Sequence, residues 1–283
     1  MTGRKPRERG PLRRFARNRG AAVGALLVAL MVLAAMFAPI ISPYGPDDAD
    51  LAAALRNPDR LHWFGTDNLG RDVFSRVMHG GRVTIPVAVV GVLAAVSVGV
   101  PLGLIAGYYG RFFDTIIMRL TDILLAFPAM LLAIAITSAL GIALSTVSIA
   151  IAVFSTPTYV RLVRAEALRL REREFVIAAR SLGATNRLII WRHILPNSLS
   201  LIIIQSSLNV AFGALTVSAL SFLGLGAQPP TAEWGVMLAD ARADMRVAPH
   251  VAAFPGLAIL VFVLGFNLLG DGLRDAYDPR SKR

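Results

Sequence analysis

The chain alternates long apolar runs with short polar stretches. The runs are too long for strands and too uniformly apolar for the surface helices of a water-soluble core. A helix needs about 20 predominantly apolar residues to cross the hydrocarbon layer of a bilayer. Six segments meet that pattern: Ala21–Ser42, Val83–Tyr109, Ile116–Leu140, Ile142–Val160, Asn197–Leu220 and Val251–Leu269. The third and fourth are nearly continuous, so Gly141 and its neighbours must form a tight turn. Alternating segments of barrel length are absent, and an open sheet would leave edge groups unpaired in lipid. The pattern predicts an all-α integral membrane protein with six transmembrane helices.

The polar stretches divide the chain further. Residues 1–20 form a basic tail, broken by glycine and proline, ahead of one transmembrane domain over residues 21–283. Within that domain, residues 43–82, 161–196 and 221–250 are the long connections. In the first of these, Val73, Phe74, Val77 and Met78 share one helical face, which predicts an interfacial helix after the turn "GTDNLGRD". That turn offers Asp67, Asn68 and Asp72 but lacks the spacing and terminal Glu of a calcium loop. Trp63 and Trp234 read as interfacial anchors.

Composition agrees with a membrane protein: 55% of the 283 residues are hydrophobic and 17% are charged. The net charge of +11 would suggest nucleic acid on a soluble chain. Here its distribution has a simpler cause. The 161–196 connection carries Arg161, Arg164, Arg169, Arg171, Arg173, Arg180, Arg187 and Arg192, and both chain ends are basic. The opposite side holds only Arg56, Arg60, Arg71, Arg76, Arg82, Arg242 and Arg246. By the positive-inside rule both termini and the 161–196 loop are cytoplasmic, while 43–82 and 221–250 are external loops. The apolar run of the first span is longer than that of a cleaved leader. The absence of cysteine excludes disulfides and thiolate chemistry.

The span centres are nearly free of charge. Arg119 and Asp122 sit near the start of the third span, where they can pair with each other. Asp271, Asp275 and Asp278 share a face that ends the last helix, where pairing with Arg274 outweighs metal binding. A proton-driven pump would need a buried carboxylate, and none is found. Gln205 and Asn209, one helical turn apart, are the candidates for lining a translocation pathway. No protease or hydrolase signature is present. The P-loop needs a lysine, and Lys5 and Lys282 are the only two. An ATP-driven transporter would therefore rely on ATPases in other chains, and this chain is expected to bind no cofactor or metal.

The stretch "EFVIAARSLGATNRLIIWRHILPN", Glu174 to Asn197, is the most informative loop. Its spacing predicts a helix over about Glu166–Leu182, with Phe175, Ala178, Ala179 and Leu182 as one apolar stripe. Gly183 can end that helix in the left-handed region. Asn186 is placed to cap a second short helix. Pro196 suits the first turn of the fifth span and terminates what precedes it. The alternative is an interfacial helix with its arginines toward lipid phosphate.

The same residues resemble the EAA loop of binding-protein-dependent ABC importers, whose pattern is E-A-A-x3-G-x9-I-x-L-P. Ala178, Ala179, Gly183, Leu195 and Pro196 match it, while Ile177 and His193 replace the usual Glu and Ile. "HWFGTDNLGRDVFSRVMHGGR", "SFLGLGAQPPTAEWGVML" and "GDGLRDAYDPR" look like the second permease subunit of dipeptide, oligopeptide and nickel importers, over about residues 12–280.

The resemblance implies a type I ABC importer permease in the bacterial cytoplasmic (inner) membrane. Glu174, Phe175, Ala178, Ala179, Leu182, Gly183, Ala184, Leu195 and Pro196 would form its ATPase-coupling segment. The implied partners are a second homologous permease, two ATPase subunits or a fused equivalent that use ATP and Mg, and an extracytoplasmic binding protein. The surroundings would be the lipid bilayer, with no nucleic acid. Di- or oligopeptides are the expected cargo, because no His or Met cluster suited to nickel lies in the spans. The rivals are the same machinery carrying nickel or another small solute, and a secondary transporter acting alone.

Overall fold

A computed structural model describes residues 18–277. The described residues are almost wholly helical. The principal helices are α1 (Arg19–Met36), α2 (Val73–Tyr109), α3 (Arg111–Leu125), α4 (Ala129–Leu140), α5 (Leu144–Arg171), α6 (Glu174–Ser181), α7 (Leu195–Phe222), α8 (Trp234–Asp240) and α9 (His250–Tyr277). Five helical runs are long and apolar enough to cross a membrane, and α3 with α4 makes a sixth crossing if that pair counts as one span.

The centre of the fold is the pairing of α2 with α5. It rests on Gly91, Ala95, Gly99, Gly103 and Gly107, which recur every fourth residue and form one smooth ridge. A Cβ added at Gly99 would lie 2.7 Å from the Tyr159 Cβ, and one at Gly107 would lie 2.6 Å from the Arg164 carbonyl oxygen. Lipid tails are as apolar as leucine, so close backbone approach and dispersion, rather than burial from water, hold such helices together. A second small-residue contact ties α1 to α9, where a Cβ at Gly24 would meet the Leu269 backbone at 2.5 Å.

Several expectations change. The third span is not one helix: α3 and α4 meet at 89°. Pro128 disfavours helical geometry at Phe127 and offers no N–H to carry the ladder across the break. Asp122 does not pair with Arg119; it accepts from Arg161 Nη2 on α5 at 2.7 Å. The expected separate interfacial helix is the opening of α2, capped by the Asp72 carboxylate on the Ser75 N–H at 2.8 Å. Val73 and Val77 are buried there within the protein instead of facing lipid. Asp275 accepts from Asn18 Nδ2 at 2.9 Å, tying the start of α1 to α9. Asp278 and most of the basic tail, residues 1–17, lie outside the described residues.

At one end of the bundle, residues 43–72 and 223–249 fold into a lobe with a charged interior. Arg76, 1% exposed, donates to the Pro46 carbonyl at 2.7 Å and lies 3.7 Å from Asp67. Arg71 closes on Asp67 at 2.6 Å and reaches Asp240 at 3.6 Å. Glu233 is fully buried and caps α8, accepting the Gly235 and Val236 N–H groups and the hydroxyls of Thr84 and Ser218. Trp234 is buried, with its indole N–H on the Val77 carbonyl at 2.9 Å, and so is not an interfacial anchor. Trp63 is exposed.

Candidate functional site

The opposite end of the bundle carries the hairpin formed by α6 and the short helix Asn186–Ile189. The expected continuous helix over Glu166–Leu182 is broken. α5 stops at Arg171, Arg173 is extended, and α6 restarts at Glu174. The local charges favour this stop and restart. Arg169 and Arg171 sit at the negative end of one helix dipole, and Glu174 at the positive end of the next.

Within α6 only Val176 is buried. It joins Ile189, Ile190 and Ile194 as the inner wall of the hairpin. The face carrying Glu174, Phe175, Ala178 and Leu182 points outward, with Ala179 and Ala184 half-buried beside it. Leu182 is 88% exposed, and Phe175, Ile177, Leu188 and Trp191 add further exposed apolar surface. Gly183 has φ +82° with open space around it, so the backbone conformation, not crowding, requires glycine there.

Thr185, not Asn186, caps the second helix, accepting the Leu188 N–H at 3.3 Å. Asn186 is used differently. Its Oδ1 accepts the Tyr108 hydroxyl at 2.8 Å, and Arg180 Nη2 reaches that same hydroxyl at 3.4 Å with its guanidinium over the ring. Tyr108 lies in the last turn of α2, so both arms of the hairpin are tied to the end of the central helix pair. Nothing in the hydrophobic pattern identifies this residue, because its role depends on a contact across the fold.

Leu195 and Pro196 stand at the base of the hairpin. Pro196 does not terminate the preceding helix, which runs through a π-helical turn at Ile190–Ile194 directly into α7. A proline removes the N–H that its fourth predecessor would accept, and the wider turn accommodates the ring. Asn197 Nδ2 donates to the His193 carbonyl at 2.6 Å, and the Ser198 hydroxyl to the Ile194 carbonyl at 3.0 Å. Side chains thus occupy carbonyls where the ladder is irregular. The hairpin and the long α7 form one continuous helical connection.

Gln205 and Asn209 do share a face of α7, joined by a 3.0 Å hydrogen bond between their amides. They are half-buried against α5, whose Tyr159 hydroxyl bonds Ser206 at 3.0 Å. The Asn209 Nδ2 is buried with no acceptor among the described residues. No group of acidic or histidine side chains suited to a metal occurs among the described residues.

A family model described as the binding-protein-dependent transport system inner membrane component matches residues 99–283. A second, the N-terminal TM domain of oligopeptide transport permease C, matches residues 11–58. The chain is 47% identical over 271 residues to the glutathione transport system permease protein GsiD of Pectobacterium atrosepticum, covering 95% of this chain and 90% of that one. It is 46% identical over 274 residues to the dipeptide transport system permease protein DppC of Alkalihalophilus pseudofirmus, covering 97% and 90%. Among solved structures, an inward-facing MetNI methionine ABC transporter chain superposes with a TM-score of 0.58 at 18% identity, over 72% of this chain and 97% of that one. At that identity the likeness concerns the fold.

Proposed function

We propose a function from one premise: the chain belongs to the family of binding-protein-dependent transport system inner membrane components, the permease subunits of ABC importers. On that basis it forms half of a translocation pathway for di- or oligopeptides, glutathione-like peptides included, in the bacterial inner membrane. The names of its relatives support the cargo class. A second permease completes the pathway, ATPase subunits supply the energy, and a binding protein delivers cargo. The hairpin faces the cytoplasm, where the arginine-rich loop belongs by the positive-inside rule.

The single observation that carries the coupling role is the inverted polarity of α6. Its outward face bears Phe175, with Leu182 exposed just past its end, while Val176 alone is buried. Water-exposed apolar surface of this kind, with small Ala178 and Ala179 between, suits a groove on another protein. The tie through Tyr108 and the continuous run into α7 give a push on the hairpin a path into the spans. ATP supplies the differential binding that any two-state switch requires. Gln205 and Asn209 contribute to the pathway in this reading, at the α5–α7 seam whose packing changes as it opens.

The test uses the whole complex reconstituted in liposomes. Gly183→Pro and Ala179→Trp should leave assembly in the membrane intact and abolish ATP-dependent uptake. Normal uptake by both variants would remove the coupling role. Uptake by the permease chains without ATPases, driven by an ion gradient, would instead establish the secondary-transport mechanism.

A further inference from the structure

The hairpin meets the spans through two kinds of contact. The first is apolar: Val176, Ile189, Ile190 and Ile194 belong to the buried cluster that also holds Leu104 of α2 and Leu170 of α5. Apolar contact is non-directional, so it keeps the hairpin close without fixing its angle. The second is directional and converges on one atom. The Tyr108 hydroxyl donates to Asn186 Oδ1 at 2.8 Å and accepts from Arg180 Nη2 at 3.4 Å. Among the described residues, no other side-chain hydrogen bond or ion pair joins residues 174–192 to another membrane-crossing helix.

The chemistry of the three groups sets the order of the chain. A guanidinium only donates, so Arg180 takes the acceptor side of the hydroxyl and leaves its proton for Asn186. The two arms are held unequally. The Asn186 bond has an ordinary length, while the Arg180 contact is long, with the guanidinium carbon 5.7 Å from the ring centroid. Asn186 belongs to the arm that continues through Ile190–Ile194 into α7. Arg180 belongs to α6, the arm with the outward apolar face.

Tyr108 stands on a firm base. It is buried, and the carbonyl of the preceding Gly107 accepts from Arg171 Nη1 of α5 at 3.2 Å. The last turn of α2 is thereby fastened to α5, so the hydroxyl projects from the central helix pair as a fixed point.

We propose that the Tyr108 hydroxyl is the positioning group that makes the central helix pair move with the hairpin. Its bond to Asn186 fixes the angle between the α7 arm and that pair, and the longer Arg180 contact leaves α6 free to tilt on its partner. This rests on the coupling role proposed for the hairpin. Without the hydroxyl, the hairpin stays docked but swivels on its apolar base, and ATP is hydrolysed without matching movement of cargo.

The test measures cargo imported per ATP hydrolysed by the complete importer in liposomes, with radiolabelled glutathione and glycylglycine as probes. Tyr108→Phe keeps the ring and removes only the hydroxyl. It should leave the hydrolysis rate within about twofold and lower import per ATP about fivefold or more, the lower end of coupling between distant sites. Asn186→Ala should do the same, and Asn186→Asp, which keeps an acceptor, should stay near the unaltered ratio. Combining Tyr108→Phe with Asn186→Ala should lower the ratio no further than either alone, as for two groups that share one bond. Hydrolysis and import falling in proportion, an unaltered ratio, or additive losses would each overturn the proposal. So would loss of assembly in both single variants, because the bond would then hold the fold rather than transmit movement.

A reading that needs no cargo uses the lack of native cysteine in the chain. Spin labels at the exposed positions Val98 of α2 and Arg187 of the hairpin should keep one separation with and without ATP, and should gain a nucleotide-dependent shift in Tyr108→Phe. A shift already present with Tyr108 intact would overturn the proposal. Gly183→Pro measured alongside separates the two readings. Normal import by that variant removes the coupling role itself, whereas its inactivity beside an unaltered ratio in Tyr108→Phe removes only the role of the hydroxyl.

Discussion

The two ends of α2 carry opposite kinds of surface. At the lobe end, charged side chains are buried and paired: Arg76, Arg71, Asp67 and Glu233 each find partners inside the protein. At the hairpin end, apolar side chains are exposed and the tethers are few, centred on Tyr108. Buried ion pairs are costly to break, because removing one partner strands the other away from water. Exposed apolar groups contribute little to the isolated chain but are available to a second protein. The lobe is therefore built to hold one arrangement, and the hairpin is built to be held by something else.

The contrast can be tested by stability and uptake measured on the same variants. Arg76→Ala should have the largest effect, about 3–5 kcal/mol of stability, because Asp67 loses part of its counter-charge in a buried site. Thermal unfolding of the detergent-solubilised complex checks it, and an unchanged midpoint would mean that the lobe interior is wetter than its packing indicates. Glu233→Gln should cost about 1–3 kcal/mol. The carboxylate accepts four hydrogen bonds, and an amide would turn an N–H toward either the Gly235 and Val236 N–H groups or the two hydroxyls. Leu182→Ser should shift stability by no more than about 0.5 kcal/mol, as a surface substitution does. It should nevertheless lower ATP-coupled uptake severalfold. If Leu182→Ser destabilised the chain as much as the lobe variants do, the two ends would not differ in kind.

Particular residues show which features were legible from the sequence. The small ridge at Gly91, Ala95, Gly99, Gly103 and Gly107 repeats every fourth position, so the face that α2 turns to α5 was written in the chain. The break before α6 was also signalled, by Arg169 and Arg171 followed by Glu174, but apolar periodicity alone ran across it. Pro128 stands at the sharp bend between α3 and α4, but the apolar run Ile116–Leu140 reads across it as one span. Trp234 is buried rather than interfacial, and its type does not distinguish the two, because an indole suits an interface and a core equally well. Its carbonyl partner, Val77, lies on a different helix.

By itself the sequence determined the number of apolar segments, the uneven sharing of arginine between the two sides, and the glycine and proline positions that bend the chain. These are properties of runs of neighbours, set by transfer into lipid and by backbone geometry. Only the tertiary structure decided that Asp122 meets Arg161 instead of Arg119, that Tyr108 grips both arms of the hairpin, and that α6 turns Val176 inward and Leu182 outward. Each of those outcomes depends on which helix lies alongside, and that choice is made by packing between segments far apart in the chain.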